Sequence, residues 1–86
     1  MSNLDIPSKF TNKGTIINGS IGYDGKVTLG IEDNQGTICN SVGNLKELHL
    51  PNLESFRGPI ALNCSNLHTL TFSNHPIRQT NSINNG

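Results

Sequence analysis

Apolar side chains in this chain arrive in short alternating runs, and none carries the three-to-four spacing of an amphipathic helix. The clearest run is KVTLGI, residues 26–31. In an extended chain Val27, Leu29 and Ile31 point to one side, and Lys26, Thr28 and Gly30 to the other. Two further β-branched runs are Thr15–Ile17 and Thr37–Cys39. Asn18-Gly19 and Asp24-Gly25 supply positive φ at low steric cost, and so predict hairpin-like reversals between these strands. Asn34-Gln35-Gly36 predicts another turn. Nothing before Gly43 reads as a helix, because alanine is scarce and no capping pattern precedes a periodic apolar run.

The flanks differ from this middle. Residues 1–12, MSNLDIPSKFTN, hold only Leu4, Ile6 and Phe10 as large apolar residues besides Met1, and show no sustained period. They are expected to form an N-terminal arm or an edge segment. Residues 13–77 are expected to form a single β-rich domain. Residues 78–86 are expected to form a flexible tail, since an Asn- and Ser-rich stretch buries too little apolar surface to order itself.

From Gly43 onward the pattern is a repeat. Leu45, Leu48 and Leu50 of NLKELHL recur as Leu67, Leu70 and Phe72 of NLHTLTF, twenty-two positions later. In each copy the last four residues alternate as a strand. Leu48 and Leu50 therefore point inward, Leu45 enters from the preceding bend, and Glu47 and His49 point outward. Residues 51–65 must carry the chain out and back so that the second strand lies parallel to the first. Leu53, Phe56, Ile60 and Leu62 are the apolar candidates for the interior of that return, with a bend at Gly58-Pro59.

The pattern L-x-x-L-x-L at this period is the strand part of a leucine-rich repeat. More narrowly, LHLPNLESF followed by GPIALNCSNLHTLTF resembles the repeats of the BspA-like type, over residues 39–74. By position, Leu48, Leu50 and Pro51 match that family's strand and its proline. Leu53 and Phe56 match its aliphatic pair, Gly58 its glycine, Ala61-Leu62 its short turn, and Cys64 the cysteine ahead of the next leucine. The chain departs from the pattern in three places. The segment from Ala61 to Cys64 is a residue short, Ser73 replaces a second proline, and Cys39 stands three residues farther from its leucine than Cys64 does. The resemblance implies a short solenoid of stacked parallel strands that binds proteins through its outward strand face. The alternative is a small antiparallel β domain in which the same leucines are simply core.

Charge narrows the partners. The 86 residues hold six basic and six acidic side chains, and the lysines at 9, 13, 26 and 46 are dispersed. Phosphate recognition and anionic membrane surfaces both need clustered positive charge, so neither nucleic acid nor membrane is an expected partner. No apolar run approaches the ~20 residues that span a bilayer. MSNLDIPSKF lacks the basic-then-apolar order of a secretory signal. A cytoplasmic location is expected, or a surface-exposed one if the chain is part of a longer protein.

Candidate chemistry is sparse. Cys39 and Cys64 allow a disulfide, half of a metal site, or two buried thiols, of which the last suits a reducing compartment best. On stacked strands His49, His68 and His75 do not converge, and no pair has metal-ligand spacing. No G-x-S-x-G elbow appears, and GSIGYDG lacks the helix and the Lys-Ser/Thr pair of a phosphate loop. The sequons Asn18-Gly19-Ser20 and Asn63-Cys64-Ser65 read as turn residues.

The expectation is therefore a non-catalytic protein-interaction module without cofactor or metal, such as a small inhibitor or adaptor. Its contact residues are expected to be Lys46, Glu47, His49, Thr69, Thr71 and Phe72, together with the open strand edge after Phe72. Its partner is another protein or a second copy of itself. The alternative is a structural subunit or surface fragment that self-assembles. An enzyme is the third class, weakened by the absence of a converging acid, base and nucleophile.

Overall fold

The computed structural model describes residues 3–19, 23–72 and the backbone of 78–79. Its elements are β1 (Leu4–Asn12), β2 (Thr15–Asn18), β3 (Lys26–Asn34), β4 (Thr37–Asn40), β5 (Glu47–Leu50), β6 (Ser55–Phe56), β7 (Ala61–Leu62), β8 (Thr69–Phe72) and β9 (Arg78–Gln79). The protein is mainly β, with parallel strands wound into a solenoid of about three turns.

Three walls result from the pairing. The start of β1, the start of β3, β5 and β8 form the first, through Leu4↔Val27↔Leu48↔Leu70. The ends of β1 and β3, with β6 and β9, form the second, through Asn12↔Asn34↔Phe56↔Gln79. The third is β2, β4 and β7, through Ile17↔Cys39↔Ala61. β3 serves two walls, pairing with β5 at Lys26–Thr28 and with β6 at Asp33–Asn34. Between those stretches a side chain on Gly30 would meet the backbone carbonyls of Pro7 and Ser8, where β1 shifts register.

The reversals expected at Asn18-Gly19 and Asp24-Gly25 do not pair neighbouring strands as hairpins. Every pairing among the described residues is parallel, and each strand lies on the one a full turn away. A positive-φ residue can end a strand without reversing the sheet, and this chain uses it so. Gly19, Ser41 and Asn63 have φ of 80°, 57° and 56°. They follow β2, β4 and β7 in turn, where Gly19 N–H donates to Asn40 O and Ser41 N–H to Leu62 O. Glycine accepts this conformation freely, and serine and asparagine tolerate it.

Leu4–Asn12, expected as an arm or an edge, is a strand paired along most of its length with β3. The expected tail 78–86 lies outside the described residues except at Arg78–Gln79, which pair with β6.

Apolar columns run through the turns. Val27, Leu29, Leu48 and Leu50 are fully buried, as are Leu45, Leu53 and Ile60 from the bends. Burying one such side chain contributes roughly 1.5–3 kcal/mol, so these columns are the main stabilising term. One corner is polar: Asn12 Nδ2 donates to Asn34 Oδ1 at 2.8 Å, and Asn34 Nδ2 donates to Gly58 O and Pro59 O at 3.2 and 3.3 Å. Asn12 and Asn34 are the buried polar side chains of the described core, and no buried side-chain polar atom there lacks a partner.

Candidate interaction face

The outward side of the first wall is built by strand alternation. Because Leu48 and Leu50 are held in the core, Glu47 and His49 must face out, and parallel pairing places Glu47 beside Thr69 and His49 beside Thr71. Thr28 lies next to His49 on the other side, and Lys26 next to Glu47. Lys46 sits just before β5, exposed, and its carbonyl accepts from His68 N–H and Thr69 N–H at 3.0 and 3.2 Å.

Three of these side chains form a hydrogen-bonded line. His49 Nε2 lies 3.1 Å from Glu47 Oε1, and His49 Nδ1 lies 2.7 Å from Thr71 Oγ1. A carboxylate can only accept, so Nε2 carries the proton and donates to Glu47. In that tautomer Nδ1 accepts from the Thr71 hydroxyl, and in a doubly protonated ring Nδ1 would donate to Thr71 Oγ1 instead. The His49 side chain is 23% exposed and that of Glu47 40%, so the line is partly sheltered by its neighbours. Thr71 itself is exposed.

This order of carboxylate, imidazole and hydroxyl is also that of a nucleophilic relay. An acyl-transfer centre needs, besides the relay, amide donors converging where an oxyanion would form. In a parallel ladder the amides point along the sheet at neighbouring strands rather than out of its face. The line holds three polar side chains in one arrangement.

Four of the six expected contact residues thus share one strand face, Glu47, His49, Thr69 and Thr71, and Lys46 is exposed just ahead of it. Phe72 is not on that face. It is paired with Leu50 in an inward column, half-buried, and stacks on Phe56 with ring centroids 6.3 Å apart and planes within 5°. The physical reason is the strand's period of two, which puts Phe72 on the side of Leu70. Ser73 to Ile77, the stretch after Phe72, and His75 with it, lie outside the described residues. His68 stands apart from His49, with its Nδ1 2.9 Å from Thr69 Oγ1. Among the described residues no group of three or more His, Cys, Asp or Glu could hold a metal ion.

Cys39 and Cys64 are free, buried thiols. Burial, and then the neighbouring Cys64, push the Cys39 thiol up from 9.0 to about 12, which makes it inert near neutral pH.

The second wall holds a polar cluster that sequence reasoning passed over. Ser55 Oγ donates to Asp33 Oδ1 and Gln35 Nε2 donates to Asp33 Oδ2, each at 2.8 Å. The third wall adds a smaller ladder, Asn40 Nδ2 to Asn18 Oδ1 at 3.0 Å. A signal for the second was available in NKGTIIN, residues 12–18, and NQGTICN, residues 34–40, which repeat at the same interval as the leucines.

Comparison of the chain with family models, with curated proteins and with solved structures finds no match.

Proposed function

We propose that this chain is a non-catalytic protein-binding module whose contact surface is the outward face of β5 and β8. The supporting observation is the line Glu47–His49–Thr71, which orders three polar side chains on a strand face flanked by exposed Lys46. Side chains ordered in advance lose less entropy on binding, by about 0.5–1.5 kcal/mol for each one otherwise immobilised by the partner. A flat strand face of this kind suits a small inhibitor or adaptor covering part of a larger protein. The resemblance of residues 39–74 to BspA-like repeats supports the same reading.

The test is a comparison of captured proteins. A partner bound by the parent chain should be lost when Glu47, His49 and Thr71 are replaced together by alanine. It should be kept when Asn18 and Asn40, on the third wall, are replaced instead. Retention of every partner by the first variant, shown by its far-UV spectrum to be folded, rules this face out.

A second reading is favoured by the outer edge of β8, beyond which no described strand pairs. Through that edge the chain would act as a self-associating structural subunit.

A further inference from the structure

Among the described residues the two outermost strands of the first wall, β1 and β8, are unlike each other. The outer edge of β1 is interrupted by Pro7, which has no amide to donate. Its register shifts between Ile6 and Phe10, and it carries Lys9. Proline, bulges and lysine are the features that keep an edge strand from pairing. β8, Thr69-Leu70-Thr71-Phe72, has no proline, no charge and no register shift against β5. The columns that are fully buried at Leu48 and Leu50 end at Leu70 and Phe72, which are only half-buried. Among the described residues the β8 edge is thus both competent to pair and incompletely covered.

Hydrogen-bond direction fixes the register such a pairing would take. Thr69 N–H donates to Lys46 O, so the peptide groups of Thr69 point toward β5, and by alternation so do those of Thr71. The N–H and C=O of Leu70 and Phe72 then point outward. In an antiparallel pair, inward residues must oppose inward residues, and the residues that exchange both hydrogen bonds are those whose groups point outward. Only one register meets both conditions without placing a residue other than Leu70 or Phe72 in the bonded positions: Leu70 opposite Phe72 of a second copy, with Thr71 opposite its own counterpart.

We infer that this chain forms a two-fold symmetric dimer through β8, with Leu70 exchanging backbone hydrogen bonds with Phe72 of the other copy and Thr71 on the symmetry axis. The inference rests on the self-association reading above and adds the partner, the direction and the register. The contact closes on itself, so it yields dimers rather than fibres. Stacking β8 of one copy on β1 of the next would give an open array, and Pro7 opposes it. Two four-residue strands bury less than the ~1,200 Å² at the low end of specific interfaces, so the dimer is a weak, reversible one.

The register is read by cysteine cross-linking in the full chain, where Cys39 and Cys64 are buried and silent. Opposed residues that exchange no hydrogen bonds lie ~4.5 Å apart at Cα, within reach of a disulfide. Under mild oxidation at concentrations where the parent sediments as a dimer, Thr71→Cys should become a covalent dimer. Asp5→Cys on β1 and Ser55→Cys on the second wall should form no covalent dimer, and Leu70→Lys should abolish the dimer. A parent that remains monomeric at ~1 mM, the weak end of measurable association, overturns both this inference and the self-association reading. A parent that dimerises while Thr71→Cys fails to cross-link overturns the register alone. Cross-links between Thr71→Cys and Asp5→Cys chains in a mixture would show head-to-tail stacking and overturn the two-fold arrangement.

Discussion

Asn12 and Asn34 meet inside the core, Nδ2 to Oδ1 at 2.8 Å, one full turn of the solenoid apart. The Asn34 amide also serves two carbonyls of the following turn, Gly58 and Pro59, so a single side chain ties three successive turns together. Asn34→Ala should cost about 1–3 kcal/mol, since it leaves buried groups without partners. Asn34→Asp should cost more, because it keeps the size but sets a carboxylate against those two carbonyls. Urea unfolding of the parent and both variants measures the order, and an Asp variant as stable as the parent would remove this corner from the account of the fold.

Gly36 and Gly58 stack at the same corner. A side chain on Gly36 would meet the Gly14 carbonyl oxygen, and one on Gly58 the Gly36 carbonyl oxygen, whereas Gly14 has open space. Gly36→Ala and Gly58→Ala should each destabilise by about 2–4 kcal/mol, with Gly14→Ala within ~1 kcal/mol of the parent. Melting temperatures of the three variants decide it, and the contrast with Gly14 separates close approach from a general effect of replacing glycine.

Leu48 is fully buried and Leu70, its neighbour in the same column, is half-buried. Leu48→Ala should cost ~2–5 kcal/mol, and Leu70→Ala clearly less, because there is less burial to lose. Equal losses would mean that Leu70 is covered as completely as Leu48.

The Cys39 thiol is raised from 9.0 to about 12 in the folded chain, with burial as the main cause. Above pH 9 the unfolded chain gives up this proton while the folded chain keeps it, so the folded state loses stability as pH rises. The loss approaches ~1.4 kcal/mol per pH unit between 9 and 12 and is absent below 9. Cys39→Ala should flatten this part of the stability profile. At pH 8 neither cysteine of the native protein should react with a thiol reagent before unfolding.

The Glu47–His49–Thr71 line predicts a proton on His49 Nε2, held by the Glu47 carboxylate and readable from ring nitrogen chemical shifts. Thr71→Val should remove the partner of Nδ1 and change stability by no more than ~1 kcal/mol, as expected of a bond on an exposed face.

Much of this was legible from residue order alone, because strand alternation is local. Val27, Leu29 and Ile31 inward, Leu48 and Leu50 inward, and Glu47 and His49 outward all follow from a period of two and the need to bury leucine. The parallel relation of β5 and β8 follows from their repeat. Whether Asn18-Gly19 and Asp24-Gly25 would reverse the chain or turn it onward was decided only in three dimensions. A positive-φ residue sets the local backbone and not the strand that the next segment pairs with. Burial of Asn12 and Asn34 was likewise decided there, since asparagine enters a core only where carbonyls of adjacent turns stand ready to receive its amide. The same holds for the meeting of His49 with Thr71. Each is an ordinary surface residue along the chain, and only the stacking of one turn on the next brings the imidazole and the hydroxyl within hydrogen-bonding distance.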